Sequence, residues 1–541
     1  MKEYSNLSVL IIDPSPGMRG SMHNMLNQSQ ITKIDYAVSS GTAIKQIAKK
    51  SYDLILCEYD LGNGQDGQDG QQLLEDLRHH RLIGMWTIFI MITSESVYSK
   101  VVSAAELAPT DYILKPFTVD VLVQRIGRAL EKRTAFLPIY QLIGQGNMRE
   151  AIKATHEAEE KTPRYGGDFA RLRAELQLSM GEAGDAEQTY IKIAEARPVG
   201  WAKLGLAKTQ FMQNRHAEAE QTLTDLIAGN DKLMDAYDWL AKTHEAQNKP
   251  QEAQRVLESA VAISPHVVRR LRKLGEVALD AGDADAAERN FKQVVAKAKY
   301  SEFRDPEDHV NLVKALVRKG DTAQAGAVVR DLEKSLRGHE KLAACRALSS
   351  AVVAGGAGDG KAAQAELDAA LTELRGGAAL SPPARLLLAR SCMEQKMDAP
   401  ATELMHDLVN DPTSGVSMGQ AKRAFEQAGR ADLGAGFDSA QRQQIEQLLQ
   451  QGAKLLAERD FRGAAMTMYQ AARRAPQDAR VQTGAVNALV RCMDELGWDG
   501  ALADQARVSL ALVRSLEPDS AQTAELAATY QALQRKYGIA A

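Results

Sequence analysis

The stretch YDLILCEYDLGNG, residues 52–64, opens on an apolar run and closes in acids and glycines. A short run that is apolar without alternation is a strand covered on both faces, as in parallel sheets flanked by helices. Four further strand candidates surround it: LSVLII (7–12), TKIDYAV (32–38), TIFIMI (87–92) and DYIL (111–114). Helical patterns follow near 17–28, 41–50, 70–80, 96–107 and 118–134. Five such units over residues 1–133 predict an α/β doubly wound fold with a five-stranded parallel sheet. Its site belongs at the carboxyl ends of the strands.

From about residue 135 the pattern changes to helix alone. LAKTQFMQN begins at Leu206, LAKTHEAQN at Leu240 and LGEVALDAGD at Leu274, in steps of 34 residues. Ala219, Ala253 and Ala287 keep the same step, as do Leu223, Leu257 and Phe291, and Pro265 stands where a helix must stop. Small residues at fixed places let two helices approach closely, and the large ones fill the space between neighbouring units. Leu240, Ala241, Ala253, Leu257, Ala260 and Pro265 together resemble the tetratricopeptide repeat. The resemblance implies an all-α solenoid whose concave surface, made mainly by the first helix of each repeat, binds protein partners. Weaker units extend the register from Ala151 to a last repeat ending at Pro518, about nine or ten in all. The expected divisions are 1–133, a repeat array over 134–410, an irregular connection over 411–440 that either has a helix of its own or is a hinge between two subarrays, and further repeats with a capping helix over 441–541. Pro138 is expected to bend or end the helix that leads into the array.

Residues 5–130 resemble the receiver domain of response regulators. Thr93 ends strand 4, Tyr112 lies in DYILKPF, and Lys115 precedes Pro116. The resemblance implies that Thr93 and Tyr112 form a switch pair, that Lys115 contacts phosphoryl oxygens, and that the Lys115–Pro116 bond is cis. It also implies a pair of acids after strand 1 that helps hold Mg²⁺, and an aspartate ending strand 3 that accepts a phosphoryl group. There the chain departs from the family. Asp13 is kept, but Pro14 stands in place of the second acid, and Glu58 in place of the aspartate. Mg²⁺ demands near-octahedral oxygens at about 2.0–2.1 Å, so a site made from Asp13 and Glu58 is weak or lost. Phosphoryl transfer rests on positioning and charge neutralisation, and it should fail with such a site.

Three readings of Glu58 stand open. It is a lasting mimic of the phosphorylated state, paired with Lys115. It is an inert relic. Or phosphorylation survives, with Glu58 or the nearby Asp60 as acceptor.

Other features carry plainer meanings. The net charge of −4 gives no reason to expect nucleic acid. No apolar run is long enough to insert in a membrane. Cys57, Cys345, Cys392 and Cys492 form no CxxC pair, which fits reduced, buried thiols in a cytoplasmic protein. Alternating Asp and Gly in 62–70 lacks the closing glutamate of a calcium loop. His79 and His80 suit a helix C-terminus, and Trp201 and Trp239 suit packing. There is no nucleophile–base motif and no cofactor motif. The whole reads as a bacterial, non-enzymatic signalling adaptor, with a possible homodimer through its N-terminal domain.

Overall fold

The chain is described from a computed structural model that covers residues 5–62, 69–94, 109–196, 199–265, 267–298, 304–411, 414, 416, 418–475, 478–517 and 520–537. The five apolar runs are parallel strands: β1 (Ser8–Ile12), β2 (Lys33–Ala37), β3 (Leu54–Glu58), β4 (Ile88–Ser94) and β5 (Asp111–Lys115), in the order β2-β1-β3-β4-β5. Ile12 pairs with Cys57, Glu58 with Ile92, and Ser94 with Lys115. That register brings Asp13, Glu58, Thr93 and Lys115 to one edge. Helices α1 (Pro16–Gln28), α2 (Ser40–Ile47) and α3 (Gly70–His79) cover the sheet. Each is capped by a side chain, Ser15, Ser39 or Asp69, that accepts a backbone N–H of the first turn. The helix expected near 96–107 lies outside the described residues.

The next helix, α4, runs from Val119 to Gly144, so the boundary expected at 133/134 falls inside it. Its first half buries Leu122, Ile126 and Ala129 against the sheet. Its second half buries Phe136 and Ile139 against Ala151, Phe169 and Leu172 of the array, with Phe136 and Phe169 stacked at 4.2 Å. Arg133 ties the middle to Asp53 at the foot of β3 at 2.8 Å. The helix does not end at Pro138, contrary to one of the two outcomes expected there. Apolar burial on both sides of the ring outweighs one lost backbone hydrogen bond.

With α4 as the first helix of the first pair, the array proceeds in five helix pairs through α5 (Met148–Lys161), α6 (Gly166–Ser179), α7 (Ala183–Ala196), α8 (Gly200–Met212), α9 (His216–Gly229), α10 (Met234–Ala246), α11 (Pro250–Ile263), α12 (Val268–Ala281) and α13 (Ala284–Ala298). Ala219, Ala253 and Ala287 have no exposed surface, and Leu240 and Leu274 are buried. Leu206 is only partly buried. Pro265 is exposed beyond the end of α11, so it stops a helix and does not pack as expected. The close approach is plain at Gly275, where an added Cβ would stand 2.7 Å from Phe291 Cζ, and closer still at Gly205, where it would stand 2.2 Å from Tyr190 Cε1.

The chain divides into two compact units, residues 1–315 and 316–541. Within the second, helices Leu342–Gly356 and Gly360–Arg375 bury Ala347, Leu348, Ala363 and Leu367. The stretch expected to be an irregular connection holds the helix Met418–Gln427 and the start of a 27-residue helix, Ala431–Ala457. Phe425 and Phe437, 5.4 Å apart, give that stretch a core of its own. Among the described residues no helix is long and apolar enough to cross a membrane.

Gly275→Ala should destabilise the array by about 1–3 kcal/mol through overpacking against Phe291. Gly229→Ala, which meets nothing within 4 Å, should leave stability near wild type in urea unfolding followed by circular dichroism.

Candidate functional site

The strand ends deliver three charges to one place. Glu58 closes β3 and is 8% exposed; Asp13 follows β1 and is 2% exposed. Lys115 closes β5, and its ammonium forms an ion pair with Glu58 Oε2 while lying 3.6 Å from Asp13 Oδ2. The remaining oxygens are engaged locally. Glu58 Oε1 accepts the Asp60 N–H at 3.2 Å, and Asp13 Oδ1 accepts the Ser15 N–H at 2.8 Å. One cation therefore serves two largely buried carboxylates. The Lys115–Pro116 bond is cis, as the family resemblance implied.

The loops around the site are pinned as well. The Arg19 guanidinium donates to the carbonyls of Asp13 at 2.6 Å and Pro14 at 2.9 Å. The Pro14 ring lies by Gly62, whose φ is +75°; a Cβ there would sit 3.5 Å from Pro14 Cγ. Asp60 is exposed, its Oδ1 accepting the Gly62 N–H at 2.9 Å. So of the two acids considered as acceptor, Glu58 is the one joined to the lysine. Residues 63–68 of the glycine-rich loop lie outside the described residues.

Thr93 is 1% exposed, and its hydroxyl donates to the Ser94 carbonyl at 3.4 Å. Tyr112 packs against the core on the α2–α3 side of the sheet, and its hydroxyl oxygen is buried. Cys57 is fully buried, and burial pushes its thiol well above the ordinary value, with Glu58, Asp69 and Asp13 adding to the rise. It is no nucleophile.

Two contributors have no clear mark in the sequence. Arg19 holds the Asp13–Pro14 loop only through backbone oxygens. Gly70, the first residue of α3, sits so close to β3 that a Cβ would stand 2.5 Å from the Glu58 carbonyl oxygen. A glycine opening a helix after an Asp cap was the one available hint.

The donor set does not fit Mg²⁺. Pro14 brings no side-chain oxygen, Asp13 and Glu58 already accept hydrogen bonds, and the Lys115 ammonium stands between them. Among the described residues no group of three or more His, Cys, Asp or Glu side chains is placed to hold a metal ion.

Comparison with known proteins agrees with the fold. Residues 9–127 match the family model described as the response regulator receiver domain, and residues 200–223 match that of the tetratricopeptide repeat. The chain thus carries a receiver domain over residues 9–127 and a tetratricopeptide repeat over residues 200–223. Its receiver is similar to the chemotaxis protein CheY-3 of Vibrio cholerae serotype O1, 25% identical over 127 residues, which are 24% of this chain and 94% of the relative. It is likewise similar to the chemotaxis protein CheY of Pseudomonas aeruginosa, 25% identical over 126 residues, 23% of this chain and 98% of that one. Among solved structures, a tetratricopeptide repeat protein from Parabacteroides merdae is 14% identical with a TM-score of 0.34, covering 55% of this chain and 97% of its own. PilW, titled a type IV pilus biogenesis factor, is 16% identical with a TM-score of 0.32, covering 39% and 95%. A receiver with such repeats makes a signalling protein that carries a protein-interaction domain.

Lys115→Met should destabilise the receiver by about 1–3 kcal/mol, because two carboxylates lose their cation. The cost stays below that of a fully buried pair because the Lys115 side chain is 25% exposed. Chemical unfolding of wild type and variant measures it.

Proposed function

We propose that the protein is a non-enzymatic bacterial signalling adaptor, cytoplasmic in location. Its receiver is a pseudo-receiver that takes no phosphoryl group, and its array binds partner proteins through the face built from the first helices of the repeats. The observation that carries this reading is the Lys115 ammonium held between Glu58 and Asp13. In-line phosphoryl transfer needs a free carboxylate oxygen aimed at phosphorus, and a cation to neutralise the equatorial oxygens. Here both oxygens of Glu58 are engaged, and the cation at hand is the lysine itself.

The same geometry favours a fixed state over an empty one. Glu58 sets its carboxylate one methylene farther from the strand than an aspartate would. From there it meets the lysine that the family resemblance assigns to the phosphoryl oxygens. With Tyr112 turned inward, the pocket holds an active-like arrangement without a kinase.

Intact-mass spectrometry after incubation with Mg²⁺ and acetyl phosphate should give no phosphoryl adduct. An adduct that disappears in Asp60→Ala or in Glu58→Ala would instead make the protein a phosphorylation-regulated switch, with that residue as acceptor.

A further inference from the structure

Helix α3 has two covered faces, and the sheet accounts for one of them. Leu73, Leu74 and Leu77 sink into the core of the receiver. At about 100° per residue, Gln71, Glu75 and Arg78 form a polar stripe roughly 120° around the helix from those leucines. On an isolated receiver such a stripe meets water. Here Gln71 is 9% exposed, Glu75 and Arg78 are half-buried, and only the helix end at His79 and His80 is open.

The cover comes from the first helices of the repeats. Glu75 has Asp69, the cap of its own helix, and Arg269 and Arg270 of α12 as charged neighbours, and Asp238 of α10 feels Glu75 in turn. Arg78 neighbours Tyr140 of α4, which also feels Asp168 and Glu175 of α6. Arg270 shows how closed the place is. Its side chain is 1% exposed although it lies in the first turn of its helix, and it grips Asp238 through two bonds of 3.0 Å. A guanidinium is enclosed to that degree only when something besides its own helix lies over it.

We propose that α3 is the built-in occupant of the first-helix face between the first and fifth helix pairs, and that it is the receiver's output surface. Gly70 links it directly to the pocket, since the helix begins hard against the Glu58 carbonyl. A partner that enters this face competes with α3. The partner that fits is an amphipathic helix with a carboxylate where Glu75 stands, set against Arg269 and Arg270. This deepens, and rests on, the reading of the array as a protein-binding surface.

Thiol labelling tests it on the full chain, whose four native cysteines are buried. Gln71→Cys should react with a maleimide at least about tenfold more slowly than His79→Cys on the open end of the same helix. Adding Glu75→Arg should raise the Gln71→Cys rate toward that of His79→Cys, and adding Arg270→Glu to that variant should lower it again. Equal rates at the two positions would overturn the proposal, and so would slow labelling that Glu75→Arg leaves unchanged. Circular dichroism of each variant confirms the fold; Glu75→Gln, which removes the charge alone, replaces Glu75→Arg if the latter fails to fold. No arm uses Glu58 chemistry or an external partner, so failure here leaves the adaptor reading standing, and the reverse holds too.

Discussion

One helix has to satisfy two cores. Val119–Gly144 closes the receiver sheet with Leu122, Ile126 and Ala129, and opens the array with Phe136 and Ile139. A helix rises about 1.5 Å per residue and turns as a rigid rod, so the distance and rotation between the two cores are fixed by its geometry. A flexible linker would let each domain sample orientations freely. Here Arg133 clamps the middle to Asp53, and the Phe136–Phe169 stack clamps the far end.

The pocket obeys a different constraint, charge balance in a place with little water. Two carboxylates with 2% and 8% exposure need a cation, and a receiver with its full set of acids would draw one from solution. This chain supplies Lys115 from within. The ammonium pairs with Glu58 and lies 3.6 Å from Asp13, so both carboxylates have a cation from the chain itself. On this account the receiver serves as a fixed docking part for the array, with α3 the part that docks.

Much of this was legible before any coordinates. The five apolar runs named all five strands, because buried parallel strands leave no other reading for short runs separated by helices. The 34-residue step of leucines and alanines named the array, since only close packing demands small residues so regularly. Lys115 and Glu58 were paired by resemblance alone, and they do meet. What sequence could not show was where one element passes into another. Pro138 reads as a residue that bends or ends its helix, and sequence does not choose between the two; burial on either side holds the helix through it. The segment near 410–439 breaks the repeat register in sequence and left a helix or a hinge open there; Phe425 and Phe437 pack it into helices. Asp60 looked available as an acceptor because a one-dimensional reading gives no direction to a side chain; one of its carboxylate oxygens caps its own turn, and Glu58 is the acid that meets Lys115. The stripe of Gln71, Glu75 and Arg78 was invisible for a related reason. A polar face looks the same in sequence whether it meets water or a neighbouring repeat.

The central claim is that the receiver pocket, with Pro14 and Glu58 in place of the family's acids and Lys115 paired to Glu58, does not hold Mg²⁺. Isothermal titration of Mg²⁺ into the wild-type chain and into a Pro14→Asp/Glu58→Asp variant tests it most directly. The account predicts no saturable binding by wild type at millimolar Mg²⁺, and saturable binding once both acids are restored. Saturable binding by the wild-type chain would contradict it.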